Sequence, residues 1–153
     1  AIVWIIFMLL YIVFCYTTNG EFSFGFTKRE LIAILNSVVV LIVSTAIAIL
    51  VAHFSPKDEL LSMIGNIIGL GSSFLCGIFV PQDMLGDNVL HAAKFLPFYW
   101  YVKANNSIFS LAGENFNEIE IYKYIAVEAL FAVPLFILVF LLAKIKNSSS
   151  RTM

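Results

Sequence analysis

The run from Leu60 to Pro81 carries no charged side chain, and small residues recur along it at every fourth position. As a helix rising about 1.5 Å per residue, it is long enough to cross a bilayer. The small residues share one helix face, which allows another helix backbone to approach closely in lipid. These residues are Gly65, Gly69, Ser73 and Gly77. The run therefore predicts a packed membrane helix with a helix-packing face, rather than a simple anchor.

The composition agrees with a membrane protein. Hydrophobic residues make up 61% of the chain and charged residues only 12%, with a mean hydropathy of +0.95. Soluble domains usually contain about 25% charged residues. With 153 residues there is room for about four spans of about 20 residues and no soluble domain. Membrane lipid is the expected surrounding, and a net charge of −1 without a basic cluster predicts no nucleic-acid partner.

Four apolar segments predict an all-α polytopic membrane protein with about four transmembrane helices and additional short re-entrant or interfacial helices. The expected spans are about 1–16, 31–53, 60–80 and 122–143, with an external helical segment at 81–121, all in a single transmembrane domain over 1–153. The chain opens directly into an apolar run, without a start methionine or the features of a signal peptide. We therefore expect it to be the C-terminal part of a longer protein.

The connections between these spans differ in character. Phe22, Phe24 and Phe26 alternate within the first polar segment, which fits either a short strand or a surface loop. Pro56 lies in a tight polar turn between the second and third spans. The external segment is longer and is not simply a loop.

Within the external segment, Asp83 is the expected N-cap of an amphipathic helix that ends at Pro97. Its apolar positions fall at helical spacing and are Leu85, Val89, Ala92 and Leu96. Four consecutive aromatic residues follow at Phe98–Tyr101, and such rings favour the headgroup level of a membrane. A second short helix is expected over 100–112.

Orientation follows from the basic residues near the membrane. The tail containing Lys144, Lys146 and Arg151 predicts a cytoplasmic C-terminus. Alternation then places segment 81–121 outside and turn 55–59 inside. The count of basic residues alone favours this topology only weakly over the inverted one, because five of them fall on the outer side. These five are Lys28, Arg29, Lys94, Lys103 and Lys123.

Three runs, Gly65–Ile68, Leu75–Leu85 and Phe95–Trp100, together resemble the ABC-2 family of transporter permeases. In that family a span ends in a Ser/Cys-Gly-x-Phe-x-Pro pattern, and a short helix, a Leu-Pro-aromatic turn and the final span follow. The positions that match here are Cys76, Gly77, Phe79, Pro81, Leu96, Pro97 and Tyr99.

The resemblance implies the last four of six spans, with the first two and a cytoplasmic coupling helix outside this chain. It implies an exporter in a bacterial plasma membrane, driven by a separate cytoplasmic ABC ATPase and paired with a second permease subunit, identical or homologous. The external helices would cap the translocation path, with an outer gate formed by Phe79, Phe95, Tyr99 and Trp100. The turn facing the ATPase would be Ser55, Pro56, Lys57, Asp58 and Glu59.

The chain has no Gly-x-x-x-x-Gly-Lys-Ser/Thr loop, so it is not expected to bind ATP through one or to be an enzyme. No cofactor and no metal site are predicted, because the two cysteines and two histidines lack ligand-like spacing: Cys15, Cys76, His53 and His91. Both cysteines lie in apolar runs and are interpreted as small buried hydrophobic residues.

Asn66 and Glu128 are candidates for a polar pathway, since polar groups within spans are costly and often functional. Asn66 could instead hydrogen-bond a neighbouring helix. Glu128 could instead lie at the outer interface, paired with Lys94, Lys103 or water. The small-residue face could either slide during transport or pack statically.

Two other functional classes stay open. The first is a membrane subunit that assembles or anchors a complex without transporting. The second is an intramembrane protease using Ser73 with His53 or His91 as the base, although Phe74 follows Ser73 where a rhomboid-like site has glycine.

Overall fold

The computed structural model describes residues 2–19, 28–54, 57–109 and 117–149, with only the backbone described at 11, 12, 14–19 and 145–149. Over these ranges the chain is helical and contains no strand, as predicted. The helices are α1 (Ile2–Asn19), α2 (Lys28–Phe54), α3 (Asp58–Leu75), α4 (Asp87–Ala93), α5 (Pro97–Phe109) and α6 (Glu118–Ser149), with one 3-10 turn at Gln82–Met84. The alternating phenylalanines lie at 22–26, outside the described residues.

Two helices in the described part of the chain are long and apolar enough to cross a membrane. They are Lys28–Phe54 and the segment Glu118–Lys144 of α6, each 27 residues long. At about 1.5 Å per residue each extends about 40 Å, more than the hydrocarbon core of a bilayer. α1 and α3 are shorter, at 18 residues each, and α3 has Asp58 and Glu59 in its first turn.

The core lies between α2, α5 and α6. It is formed by Ile32 of α2, Ala104 and Ile108 of α5, and Ile121 and Ile125 of α6. On the other faces, large apolar side chains are exposed along every long helix. A helix surface of this kind fits lipid as the surrounding solvent, because lipid tails are as apolar as these side chains.

The relative direction of these helices follows from their contacts. Lys28 at the start of α2 pairs with Glu118 at the start of α6, with 3.5 Å between Nζ and Oε1. Ile32 then packs with Ile121 and Ile125, so α2 and α6 run parallel. α5 runs antiparallel to both, since its late residue Ile108 belongs to the cluster of Ile32, whereas its earlier residue Tyr101 bonds to Asn36, further along α2.

α3 ends earlier than the sequence predicts. The expectation that it continues to Val80 and stops at Pro81 is wrong, because the helix ends at Leu75. Gly77 takes a left-handed conformation with φ of +97°, which glycine adopts readily and which commonly terminates helices. The amides of Ile78 and Phe79 both donate to the Ser73 carbonyl, at 3.1 Å each. Gly77 therefore lies beyond the helix that carries the other three small residues.

The external segment also divides differently. Asp83 does not cap an amphipathic helix but lies within the 3-10 turn, and α4 starts only at Asp87 after the extended residue Gly86. Pro97 is the first residue of α5, a position where the missing amide hydrogen of proline is not needed. α5 thus begins three residues before the predicted start at Trp100.

α6 extends beyond the predicted 122–143 at both ends and contains Pro134. A proline has no amide hydrogen, so the carbonyl of Leu130 lacks its usual helical partner at this point. The buried part of α6 lies before this proline, at Ile121, Ile125 and Glu128.

Candidate functional site

Gln82 joins the end of α3 to the start of α5. Its side-chain Nε2 donates to the Cys76 carbonyl at 2.9 Å and to the Tyr99 carbonyl at 3.3 Å. Cys76 and Tyr99 also pack together with Ala93 in a small buried cluster. The motif residues before and after α4 are therefore held by one amide side chain. We call this arrangement the α3–α5 junction.

Gly77 packs against Gln82 in the α3–α5 junction, with no room for a side chain. A Cβ atom added there would lie 2.5 Å from Cγ of Gln82, which is closer than real Cβ contacts come. The left-handed φ of Gly77 disfavours any side chain independently of that contact. The glycine of the motif is thus explained by backbone geometry. Sequence reasoning did not single out Gln82, although it follows directly after the motif proline.

The predicted outer-gate residues do not form one group. Tyr99 is buried and Trp100 packs edge-to-face against it, with ring centroids 5.2 Å apart. The Trp100 indole also donates to the Lys94 carbonyl at 3.0 Å. Phe79 instead packs against Phe74 at 5.0 Å, and Phe95 is 81% exposed. Within the described ranges, neither Phe79 nor Phe95 belongs to the buried cluster around Tyr99.

Lys103 connects α5 to α6 through aromatic rings. Its Nζ lies 4.8 Å from the ring centroid of Tyr124 on α6, and 5.9 and 6.0 Å from those of Tyr99 and Trp100. A cation at these distances is attracted to the ring faces. The Tyr124 hydroxyl in turn donates to Glu120 one turn earlier. This aromatic cluster was not predicted, because Tyr124 comes from a different helix.

Asn36 of α2 holds α5 from the opposite side. It is fully buried, and its Nδ2 donates to the Tyr101 carbonyl at 3.2 Å and to Asn105 Oδ1 at 3.1 Å. A buried amide that bridges two helices is a strong positional constraint, since an unmade hydrogen bond there costs free energy. Asn36 Oδ1 has no hydrogen-bond partner among the described residues.

Glu128 lies on the same face of α6 as Ile121 and Ile125, at positions i, i+4 and i+7. It is 0% exposed, and neither carboxyl oxygen has a hydrogen-bond partner in the part of the chain that the structure describes. Among the described residues neither Lys94 nor Lys103 pairs with Glu128, and its position at the outer interface or deeper in the span stays a prediction. Glu128 is a buried member of the three-helix core.

Asn66, the other candidate for a polar pathway, is exposed on α3 and separate from this core. The small residues Gly65 and Gly69 line a cavity of about 300 Å³ between α2 and α3. A Cβ atom added at either glycine would meet no atom of the described residues within 4 Å. The predicted helix-packing face is therefore open within this chain.

The remaining candidates are placed as follows. Ser55 and Pro56 of the predicted ATPase-facing turn lie outside the described residues, while Lys57, Asp58 and Glu59 are exposed at the start of α3. Ser73, the serine of the protease alternative, donates to the Gly69 carbonyl of its own helix at 2.7 Å. No group of three potential metal ligands occurs in the residues described. Cys76 is buried as expected, and the side chain of Cys15 is outside the described part.

Residues 1–109 match the sequence profile of the ABC-2 type transporter family, and this is more than half of the 153 residues. The chain belongs to the ABC-2 type transporter family. No curated protein gives a match. No solved structure gives one either.

Membership of this family defines the class of protein. The matched domain is the membrane-embedded permease component of such transporters and is not itself catalytic. Together with the two helices that are apolar enough to span a bilayer, it makes this chain an integral membrane protein with a permease-type role in transport.

Proposed function

We propose that this chain belongs to the permease subunit of an ATP-driven exporter. The observation that carries the proposal is the family match over 1–109, which contains α1 to α5 and the whole α3–α5 junction. Energy comes from a separate cytoplasmic ABC ATPase. The permease moves its substrate by changing shape between subunits, and does not make or break bonds in it.

In this proposal α1 and α3 are membrane spans together with α2 and α6, giving four spans in one transmembrane domain over 1–153. The C-terminus and turn 55–59 face the cytoplasm of a bacterium, where the turn meets the ATPase. Support for the spanning role of α1 comes from its many exposed apolar side chains. For α3, support comes from its place between α2 and the external segment.

The segment between α3 and α6 then forms the outer end of the translocation path. Several contacts support a fixed position for α5 there: Gln82 ties it to α3, Asn36 ties it to α2, and Lys103 ties it to α6. With α5 held at three points, Tyr99 and Trp100 have a defined position at the outer gate. Phe79 and Phe95 are exposed and are free to meet a second subunit.

The open glycine face of α3 is proposed as a contact for the second permease subunit or for a helix that moves during transport. Gly69→Leu is expected to leave the subunit folded, because the structure has space at that position. Transport or assembly is expected to fall at least about tenfold, since close backbone approach in lipid needs a small residue. The measurement is transport into proteoliposomes, alongside crosslinking of the two subunits.

The matched control for that variant is Gly71→Leu, the same substitution on the same helix but off the glycine face, where a Cβ atom also meets open space. It should retain both assembly and transport. Full activity of Gly69→Leu, or equal loss in both variants, would contradict a contact role for this face.

The test of the function itself starts from the full-length protein, affinity-tagged and purified from its native membrane. An ABC ATPase is expected to co-purify, and the reconstituted complex should extrude substrate only with hydrolysable ATP. Co-purification without ATP-driven transport of any tested amphipathic compound would favour the assembly or anchoring subunit. Purification without any ATPase would contradict the proposal.

A further inference from the structure

Two buried side chains of the three-helix core have oxygen atoms without hydrogen-bond partners among the described residues. Asn36 and Glu128 are each 0% exposed, and Asn36 Oδ1 and both Glu128 carboxyl oxygens are unpartnered among the described residues. Buried polar atoms in folded proteins are normally hydrogen-bonded, so each such exception requires an explanation. Among the described residues the same list includes one donor, Trp4 Nε1 of α1, whereas both side chains with unpartnered oxygens belong to helices of the three-helix core.

The helix register places these two side chains at the same level. Ile32 of α2 and Ile125 of α6 belong to one cluster. Asn36 lies one turn after Ile32, and Glu128 lies one turn after Ile125 on the parallel helix. One turn back along the antiparallel α5, from Ala104, leads to Tyr101, whose carbonyl accepts from Asn36. The three helices therefore converge on one polar layer just beyond their apolar cluster.

The ionisation state of Glu128 decides whether this layer is stable. An ionised carboxylate buried without a partner is very costly in free energy, whereas a neutral carboxylic acid has one O–H group to donate. The basic side chains of the helices packed against α6 include Lys28 and Lys103, which are engaged with Glu118 and with the Tyr124 ring. Arg29 also has partners, and Glu128 is not one of them.

The donors of Asn36 are already assigned. Its Nδ2 group donates to the Tyr101 carbonyl and to Asn105 Oδ1, so the atom of its amide that is left without a partner is an acceptor. Two acceptors at one level form a hydrogen bond only when one of them carries a proton. Of Asn36 Oδ1 and the Glu128 carboxyl group, only the carboxyl group can do so.

We propose that Glu128 is a positioning residue that is held as a neutral carboxylic acid and donates its proton to Asn36 Oδ1. This bond gives Asn36 Oδ1 its donor, so that Glu128 of α6 positions Asn36 and Asn36 positions α5. The inference goes beyond the proposed function, because it concerns how the external helix is held, and it can fail while the transport proposal stands.

Difference infrared spectroscopy of the full-length protein tests the protonation state directly. The wild-type spectrum minus that of Glu128→Gln should contain the carbonyl stretching band of one protonated carboxylic acid, shifted in D₂O. The control variant Glu59→Gln, at an exposed position, should remove only carboxylate absorption. A difference spectrum for Glu128→Gln that shows carboxylate bands alone would overturn the proposal.

Thermal unfolding in detergent provides the second measurement. Glu128→Gln should keep the melting temperature of the wild type, because its amide can donate to the same acceptor without a charge. Glu128→Leu should melt about 3–10 °C lower, since it leaves Asn36 Oδ1 buried without a donor. If Glu128→Gln fails to fold or melts as low as Glu128→Leu, a negative charge is required at this position and the proposal is wrong.

Discussion

Gly77→Ala is expected to lower the free energy of unfolding by about 2–4 kcal/mol. One part of this loss comes from placing alanine at a φ of +97°, where a non-glycine residue is strained by about 1–3 kcal/mol. The other part comes from the new Cβ atom, 2.5 Å from Gln82 Cγ, because relief of that clash displaces the side chain that ties α3 to α5. Thermal or denaturant unfolding of the purified protein in detergent measures the loss.

A control and a coupled variant separate these two parts. Gly71→Ala, in the open helical part of α3, should change stability by less than about 1 kcal/mol. Gln82→Ala removes the clashing atom, so Gly77→Ala should cost about 1 kcal/mol less in that background than in the wild type. If Gly77→Ala unfolds with the same free energy as the wild type, α3 does not end through a left-handed residue at position 77.

Asn36→Leu is expected to destabilise the protein by about 2–4 kcal/mol despite the similar size of the two side chains. The substitution removes both hydrogen bonds between α2 and α5 and leaves the Tyr101 carbonyl and Asn105 Oδ1 without their donor. The same unfolding measurement applies. Asn105→Ala should cost less, because the bond from Asn36 to the Tyr101 carbonyl is retained.

Thr45→Val is the matched control on the same helix. The Thr45 hydroxyl is exposed and donates to the Leu41 carbonyl within α2, so its loss should stay within about 0.5 kcal/mol. Equal losses of unfolding free energy in Thr45→Val and Asn36→Leu would show that removing a polar side chain has the same effect at any position of α2. The bridge from Asn36 to α5 would then have no special role in stability.

The helical class and the long helices were predictable from the sequence for a simple reason. Apolar runs as long as those in α2 and α6 favour helix in lipid, because a helix satisfies every backbone polar group within the segment. The end of α3 was not predictable in the same way. Residues 76–80 are as apolar as the helix before them. The helix ends there because of the backbone conformation of Gly77, which the apolar pattern does not reveal.

A candidate residue was predictable when its own place in the sequence is unusual. It was not predictable when its role depends on a contact with a residue far away in the chain. A carboxylate inside an apolar segment identifies Glu128 as a candidate without any structure. Asn36 bonds to α5 across 65 and 69 positions in the chain, and Gln82 reaches Tyr99 across 17. No local pattern contains such pairs, so Gln82, Asn105 and Lys103 could be found only from the fold.

The three attachments of α5 also determine how displacement is transmitted through the subunit. α3 is separated from α2 by a cavity along part of its length, but is linked to α5 through Gln82, and α5 is linked to α2 through Asn36. A tilt of α3 relative to α2 must therefore either carry α5 along or break these hydrogen bonds. Because the two carbonyls that accept these bonds belong to Tyr99 and Tyr101, only two residues apart, the first turns of α5 couple the position of α3 to that of α2.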